Sequence, residues 1–279
     1  MVINFYNNYN NGDVHFSRKL IFLIKELYPN CEYNFLHKNK KPILKDLEFL
    51  KEKDLDQNCH QHESVIFYND CLYINTWYGQ NNSTFINRGG GCTLVTTKLI
   101  IENIFNVLNK TLHVDEESIY PTIDFDNIKK PSLVGGFKIL ICNNNAISGQ
   151  ANNINLDTMI EFISEMFPHI TFYVTNKFTT NKKNIVFTYD ITNTSPDLIE
   201  ISYISTKCNI IIGRSSGPYS FSLLYENIMD KNKTFFALCN NYLEGIWDTN
   251  HLKCKYYHDS SNDIDKITNT LIQIINDYN

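Results

Sequence analysis

Short apolar runs alternate with amphipathic segments along the chain, and that rhythm predicts a layered α/β protein. Residues 2–6 read as a buried strand, followed by the polar loop Asn7-Asn8-Tyr9-Asn10-Asn11-Gly12-Asp13. Val14, Leu20, Ile21, Leu23, Ile24 and Leu27 then recur at helical spacing, and Pro29 stops the helix. Residues 33–36 read as the next strand, which completes a strand–loop–helix–strand unit of a parallel sheet. Residues 44–55 carry helical spacing with charges on the opposite face. Residues 64–68 and 71–77 read as strands joined by an Asn69-Asp70 turn, and residues 93–108 as an amphipathic helix.

The second half repeats the rhythm more cleanly. Strands are expected at 137–142, 170–175, 185–188, 209–212 and 234–238, with helices at 156–167, 197–206, 219–228 and 264–278. Residues 112–133, with Pro121, Pro131 and weak periodicity, read as a linker. The expected organisation is an N-terminal domain (residues 1–130) and a C-terminal domain (131–262). A final helix (263–279) is expected to pack back across both. The fold class is α/β, with two Rossmann-like α/β/α domains facing each other across a cleft.

The chain has 279 residues, 43% of them hydrophobic and 20% charged, which fits a globular protein and excludes a disordered one. A net charge of −5 argues against broad nucleic-acid binding, which needs clustered Lys and Arg, but leaves room for a local phosphate pocket. The first residues show no signal-peptide pattern, and no apolar stretch approaches the ~20 residues of a membrane span. The eight cysteines form no CxxC pair. A cytoplasmic location with reduced thiols and no stable membrane insertion is therefore expected. Cys59-His60-Gln61-His62 resembles half a metal site, but with no second cluster at zinc spacing it reads as a polar surface turn.

In an open α/β sheet, ligands bind beyond the carboxyl ends of the strands, so the strand-to-helix loops carry the candidates. The strongest is Gly213-Arg214-Ser215-Ser216-Gly217-Pro218, between a buried strand and a helix. Free amides at a helix start favour an anion, Ser215 and Ser216 add hydroxyl donors, Gly217 permits close approach, and Arg214 offers a positive charge. The bland alternative is an ordinary capped turn. In the first loop, Asp13 is either an N-cap or a general base, and His15 a second base or a buried structural histidine. A third candidate is carbohydrate binding by Asn75, Trp77 and Arg88, where an aromatic face stacks on a sugar and polar groups read its hydroxyls; the alternative is that Trp77 is core.

Gly12-Asp13 after the first strand, the two α/β halves and Gly213 to Pro218 before a helix resemble glycosyltransferases of the GT-B fold. The likeness is nearest to the lipopolysaccharide heptosyltransferase group. It implies transfer of a sugar from a nucleotide-diphosphate donor to an acceptor hydroxyl, inverting and metal-independent, in glycan or surface polysaccharide synthesis. The aspartate at Asp13 would be the base, and Ser215, Ser216 and Gly217 would lie at the diphosphate. The sequence departs from the family's usual Asp-Ser-Gly with a following His: Gly213-Arg214 precede the serines, and Tyr219-Ser220-Phe221 follow. On this reading Lys177, Thr188, Asp190, Asn143 and Gln150 complete the donor site, in loops on the same side of the sheet. No cofactor is expected, and no Asp-x-Asp pair falls at the end of an expected strand. The partners would be a nucleotide sugar and a glycan, lipid or protein acceptor. Rival readings are an epimerase or pyruvyl transferase on the same scaffold, or a non-catalytic sugar- or nucleotide-binding protein.

Overall fold

The computed structural model describes residues 1–39, 41–60, 62–77, 94–246 and 250–278. The chain divides into two units, Met1–Asp124 and Phe125–Asn279.

The first unit is built on a five-stranded sheet. Its strands are β1 (Val2–Asn7), β2 (Glu32–His37), β3 (Leu50–Lys53), β4 (Val65–Tyr68) and β5 (Cys71–Asn75), in the order β3-β2-β1-β5-β4. All pairings are parallel except the β4–β5 hairpin, whose turn residues Asn69 and Asp70 take positive φ of 48° and 59°. Positive φ at both central positions matches the hairpin twist, and Asn and Asp tolerate it. β1 is central and buried on both faces, which is why it reads as a nearly continuous apolar run. Its interior exception is Asn4 (Asn7 ends the strand), which stands opposite Asn34 of β2 and accepts from that residue's Nδ2 at 2.8 Å. The expected first helix is two, α1 (Asn11–Phe16) and α2 (Arg18–Leu27), meeting at Ser17. α3 (Leu94–Val107) follows later.

Residues 44–55 are not a helix. Leu44, Leu47 and Leu50 are spaced by successive turns, with Leu47 N–H donating to the Leu44 carbonyl and Leu50 N–H to the Leu47 carbonyl, both at 2.8 Å, before β3 begins. The expected linker is also more ordered than its sequence suggests. It buries Val114, Ile119, Tyr120 and Ile123 around a short 3-10 turn at Glu116–Ile119.

The second unit holds β6 (Lys138–Cys142), β7 (Thr171–Val174), β8 (Ile185–Phe187), β9 (Ile210–Arg214), β10 (Thr234–Leu238) and β11 (Lys255–Asp259), all parallel, in the order β11-β10-β9-β6-β7-β8. Counted within the unit this is 3-2-1-4-5-6, the dinucleotide-binding Rossmann order. Its helices are α4 (Asp157–Met166), α5 (Thr188–Thr192), α6 (Leu198–Lys207), α7 (Gly217–Ser222), α8 (Tyr225–Ile228) and α9 (Ile264–Asn276). Alternate strand residues Ile139 and Ile141, Phe172 and Val174, Ile210 and Ile212 form one core face under Met159, Ile160 and Ile163 of α4. α9, expected to pack across both halves, buries Ile267, Leu271, Ile274 and Ile275 in this same core. On the opposite face Tyr219 of α7 meets Phe235 edge-on, 6.0 Å between ring centres. Among the described residues no helix is long and apolar enough to cross a membrane.

Candidate functional site

Each sheet has a point where strand order reverses, between β1 and β5 in the first unit and between β6 and β9 in the second. The loops beyond those strands hold most of the candidates.

In the first unit the chain leaves β1 and turns into α1, whose third residue is Asp13. Its carboxylate is half-buried and accepts the Asn10 N–H at 2.8 Å, so it does close the helix start. Burial outweighs that bond and the nearby charge of Lys38, and pushes its pKa up to about 6. The capping role and a role as base are therefore compatible, because one oxygen caps and the group titrates close to neutrality. His15 is a different matter. It is 0% exposed, its Nδ1 accepts from Arg18 Nε at 3.2 Å, and burial and Arg18 hold its pKa well below the usual range. It is a neutral core histidine, not a base or donor facing a ligand.

Around Asp13 the structure gathers residues that the sequence reading missed. Ser17 Oγ donates to Thr76 Oγ1 at 2.8 Å, and Asn7 Nδ2 to the same oxygen at 3.3 Å, which ties the start of α2 to the ends of β1 and β5. Arg18 makes a two-pronged ion pair with Asp46 (2.6 and 2.8 Å), both side chains buried. Tyr9 lies 5.9 Å from Trp77, ring centre to ring centre. Trp77 is largely buried, and its N–H donates to Asn75 Oδ1 at 3.0 Å. The Asn75 amide is turned into the structure, with Nδ2 donating to the His60 carbonyl at 3.4 Å. Both are buried, and half-buried Tyr9 is the more accessible member of the group. Arg88 and the glycines around it lie outside the described residues.

In the second unit β9 runs two residues further than expected, through Gly213 and Arg214. Gly213 packs against the neighbouring strand: a Cβ there would stand 2.5 Å from the Cys142 Cβ and 2.7 Å from its carbonyl oxygen. Close strand packing therefore requires a glycine here. Arg214 is 3% exposed, and all three guanidinium nitrogens donate to main-chain carbonyls of Asn143, Asn144 and Ile154. It does not offer its fork to a ligand.

Beyond Arg214, Ser216 adopts an extended conformation as the N-cap of α7, and Pro218 fills the first turn, where a missing N–H costs nothing. Ser216 Oγ is buried with no hydrogen-bond partner, in a residue only 8% exposed. Buried hydroxyls are normally satisfied, so this one is a donor without a partner at the start of α7. Ser215 Oγ donates to Gln150 Oε1 at 3.4 Å, and that oxygen also accepts from Ser148 Oγ at 2.8 Å. Ser215, Ser216, Gly217 and Gln150 thus come together at the β6–β9 reversal.

The other donor-site candidates divide. Asn143 is buried, its Nδ2 donating to the Asn176 carbonyl at 3.0 Å and its Oδ1 accepting the Asn176 N–H at 2.7 Å, so its amide joins β6 to the end of β7. Thr188 opens α5 instead of ending a strand. It is 0% exposed and donates to Asp197 Oδ2 at 2.8 Å, a structural bond. Lys177 and Asp190 form an exposed ion pair, with the Lys177 ammonium 5.1 Å from the centre of the Tyr189 ring.

The strand at residues 50–53 also places Asp54-Leu55-Asp56 at a strand end, where no such pair was expected. Asp56 accepts from Tyr73 OH at 3.0 Å and from the Asn58 N–H at 2.8 Å. Among the described residues no three of His, Cys, Asp and Glu gather as a metal site.

No family model and no curated protein sequence matches the chain. Solved structures do match it. Over the whole of both chains it superposes on the E. coli heptosyltransferase WaaC with ADP, with a TM-score of 0.57 at 7% identity. WaaC with ADP-2-deoxy-2-fluoro heptose gives 0.57 at 8% identity, again over both full chains. The glycosyl transferase of family 9 from Veillonella parvula gives 0.51 at 11% identity, covering 98% of this chain and 89% of that one. The chain therefore has the two-domain α/β fold of GT-B glycosyltransferases, and the heptosyltransferases are among its structural neighbours.

Proposed function

We propose that this protein is a glycosyltransferase that moves a sugar from a nucleotide-diphosphate donor to an acceptor hydroxyl. The observation that carries the reading is Asp13: a half-buried carboxylate at the strand-order reversal of a GT-B-like first unit, with its pKa raised to about 6. Such a group is largely ionised at neutral pH and basic enough to take a proton. The donor would lie at the β6–β9 reversal, its diphosphate against the main chain of Ser215 to Gly217 and the unpartnered Ser216 hydroxyl. Lys177, Asp190 and Tyr189 follow β7 and β8. They lie one to two strands along the same edge, roughly 5–10 Å at ordinary strand spacing, and would meet the nucleoside end.

Asp13 would take the proton of the acceptor hydroxyl as its oxygen attacks the anomeric carbon. The bond from that carbon to the diphosphate oxygen breaks, and the configuration inverts. Hydrogen-bond donors at the start of α7 would stabilise the charge that grows on the departing diphosphate. The acceptor would stand near Tyr9 and Trp77. This scheme needs no metal ion and no cofactor.

A thermal-shift screen against nucleoside diphosphates and their sugars tests the reading, since a ligand bound only by the folded state raises the melting temperature. Stabilisation by one base, with turnover that Asp13→Asn lowers roughly 100-fold or more while donor binding persists, supports it. Conversion of the nucleotide sugar without any acceptor would point to an epimerase, and unchanged behaviour of Asp13→Asn to a binding protein.

A further inference from the structure

The loop between β6 and α4 is tied down along its length. Asn153 joins its two arms, with Nδ2 donating to the Ala146 carbonyl at 3.2 Å and Oδ1 accepting the Ala146 N–H at 2.8 Å. Asn240 fixes its middle: its N–H donates to the Gln150 carbonyl at 2.9 Å and its Nδ2 to the Gly149 carbonyl at 3.0 Å. The third tie is Arg214. Its Nε donates to the Asn144 carbonyl at 2.9 Å, Nη2 to the Asn143 carbonyl and Nη1 to the Ile154 carbonyl. Those acceptors stand at the two ends of the loop, so one rigid planar group sets the distance between them.

Arg214 is also a buried cation, and the three groups to which it donates are neutral carbonyls. The Asp157 carboxylate acts on it through space, without a hydrogen bond between them. A positive charge that is buried without a bonded counter-charge projects a positive potential onto its surroundings. Its immediate neighbours in the chain are Ser215 and Ser216.

We infer that Arg214 is the positioning residue of the donor site: it holds the β6–α4 loop, with Gln150, against the start of α7 and favours an anion there without touching it. The inference rests on the donor reading above.

Inorganic pyrophosphate is a suitable probe, measured by calorimetry alongside hydrogen exchange of residues 143–154. Arg214→Lys keeps a charge but loses the fork. It is expected to speed exchange in the loop about tenfold or more while β6 and β9 exchange as before, and to weaken pyrophosphate binding about tenfold. Arg214→Gln, which loses the charge as well, weakens it further. Wild-type exchange in Arg214→Lys overturns the inference, and so does a loosened loop with undiminished pyrophosphate affinity. If Arg214→Gln does not fold, Asn153→Ala opens the same loop with Arg214 in place and must also weaken pyrophosphate; equal affinity overturns the inference. Wild-type protein that binds neither pyrophosphate nor any nucleoside diphosphate sinks the donor reading itself. Faster loop exchange in Arg214→Lys would then show the strap to be structural only, so the two failures are told apart.

Discussion

Asp13 shows how far a single residue can be read from sequence. An acid three residues after Asn10 is a plain helix-start signal, and the structure keeps that bond at 2.8 Å. The rise of its pKa to about 6 comes from burial, which no spacing rule carries. Two consequences follow. Activity needs the ionised form, so kcat/KM is expected to fall about tenfold per pH unit below about 6 and to level off above it. Stability runs the other way. The folded protein keeps this proton up to about 6, whereas an unfolded chain releases it near 3.8, so the charge costs folding free energy above about 6 and the cost vanishes below about 4. Asp13→Asn is therefore expected to melt higher than wild type at pH 7.5 and equally near pH 4, in paired calorimetric scans. His15 and Arg214 turn inward for one reason: each has a polar partner inside the protein. Arg18, one turn from Val14 on the apolar stripe, was the visible sign that a buried charge pair lay beside His15.

At the level of elements, strands buried on both faces were legible because parallel central strands are continuous apolar runs, as in Ile210-Ile211-Ile212. The edges were not. β11, Lys255-Tyr256-Tyr257-His258-Asp259, is mostly half-buried and shows no apolar alternation to find. β3 hid behind leucines whose spacing of three belongs to turns. Where β6 and β9 touch, Gly213→Ala should force the strands apart and cost about 1–3 kcal/mol. Leu271→Ala, in the last helix, should cost about 2–5 kcal/mol if that helix is a full layer of the second core. Urea titration measures both, and a loss below about 0.5 kcal/mol for Leu271→Ala would show the helix to be peripheral.

For the whole molecule, the two α/β halves were evident from rhythm alone, and the heptosyltransferase-like fold from that rhythm with a few loop residues. Identity of only 7–11% to the structural neighbours explains why little beyond the fold could be transferred position by position. Two chains so unlike in sequence can share a layered core through volume and pattern, whereas site chemistry depends on single side chains. The proposed reaction carries its own test at this scale: turnover measured after exhaustive treatment with EDTA is expected to match the untreated enzyme. A loss restored by added divalent cation would count against charge stabilisation by the protein alone.

The Asn4–Asn34 contact bears on how the first sheet finds its alignment. In a greasy interior the Asn34 amide reaches the Asn4 oxygen only when β1 and β2 meet in one stagger. Slide either strand by a residue and each amide faces hydrocarbon, a penalty that an all-aliphatic pair would not impose. The pair thus works as a notch. It adds little to the depth of the native state and a great deal to the height of its misaligned competitors.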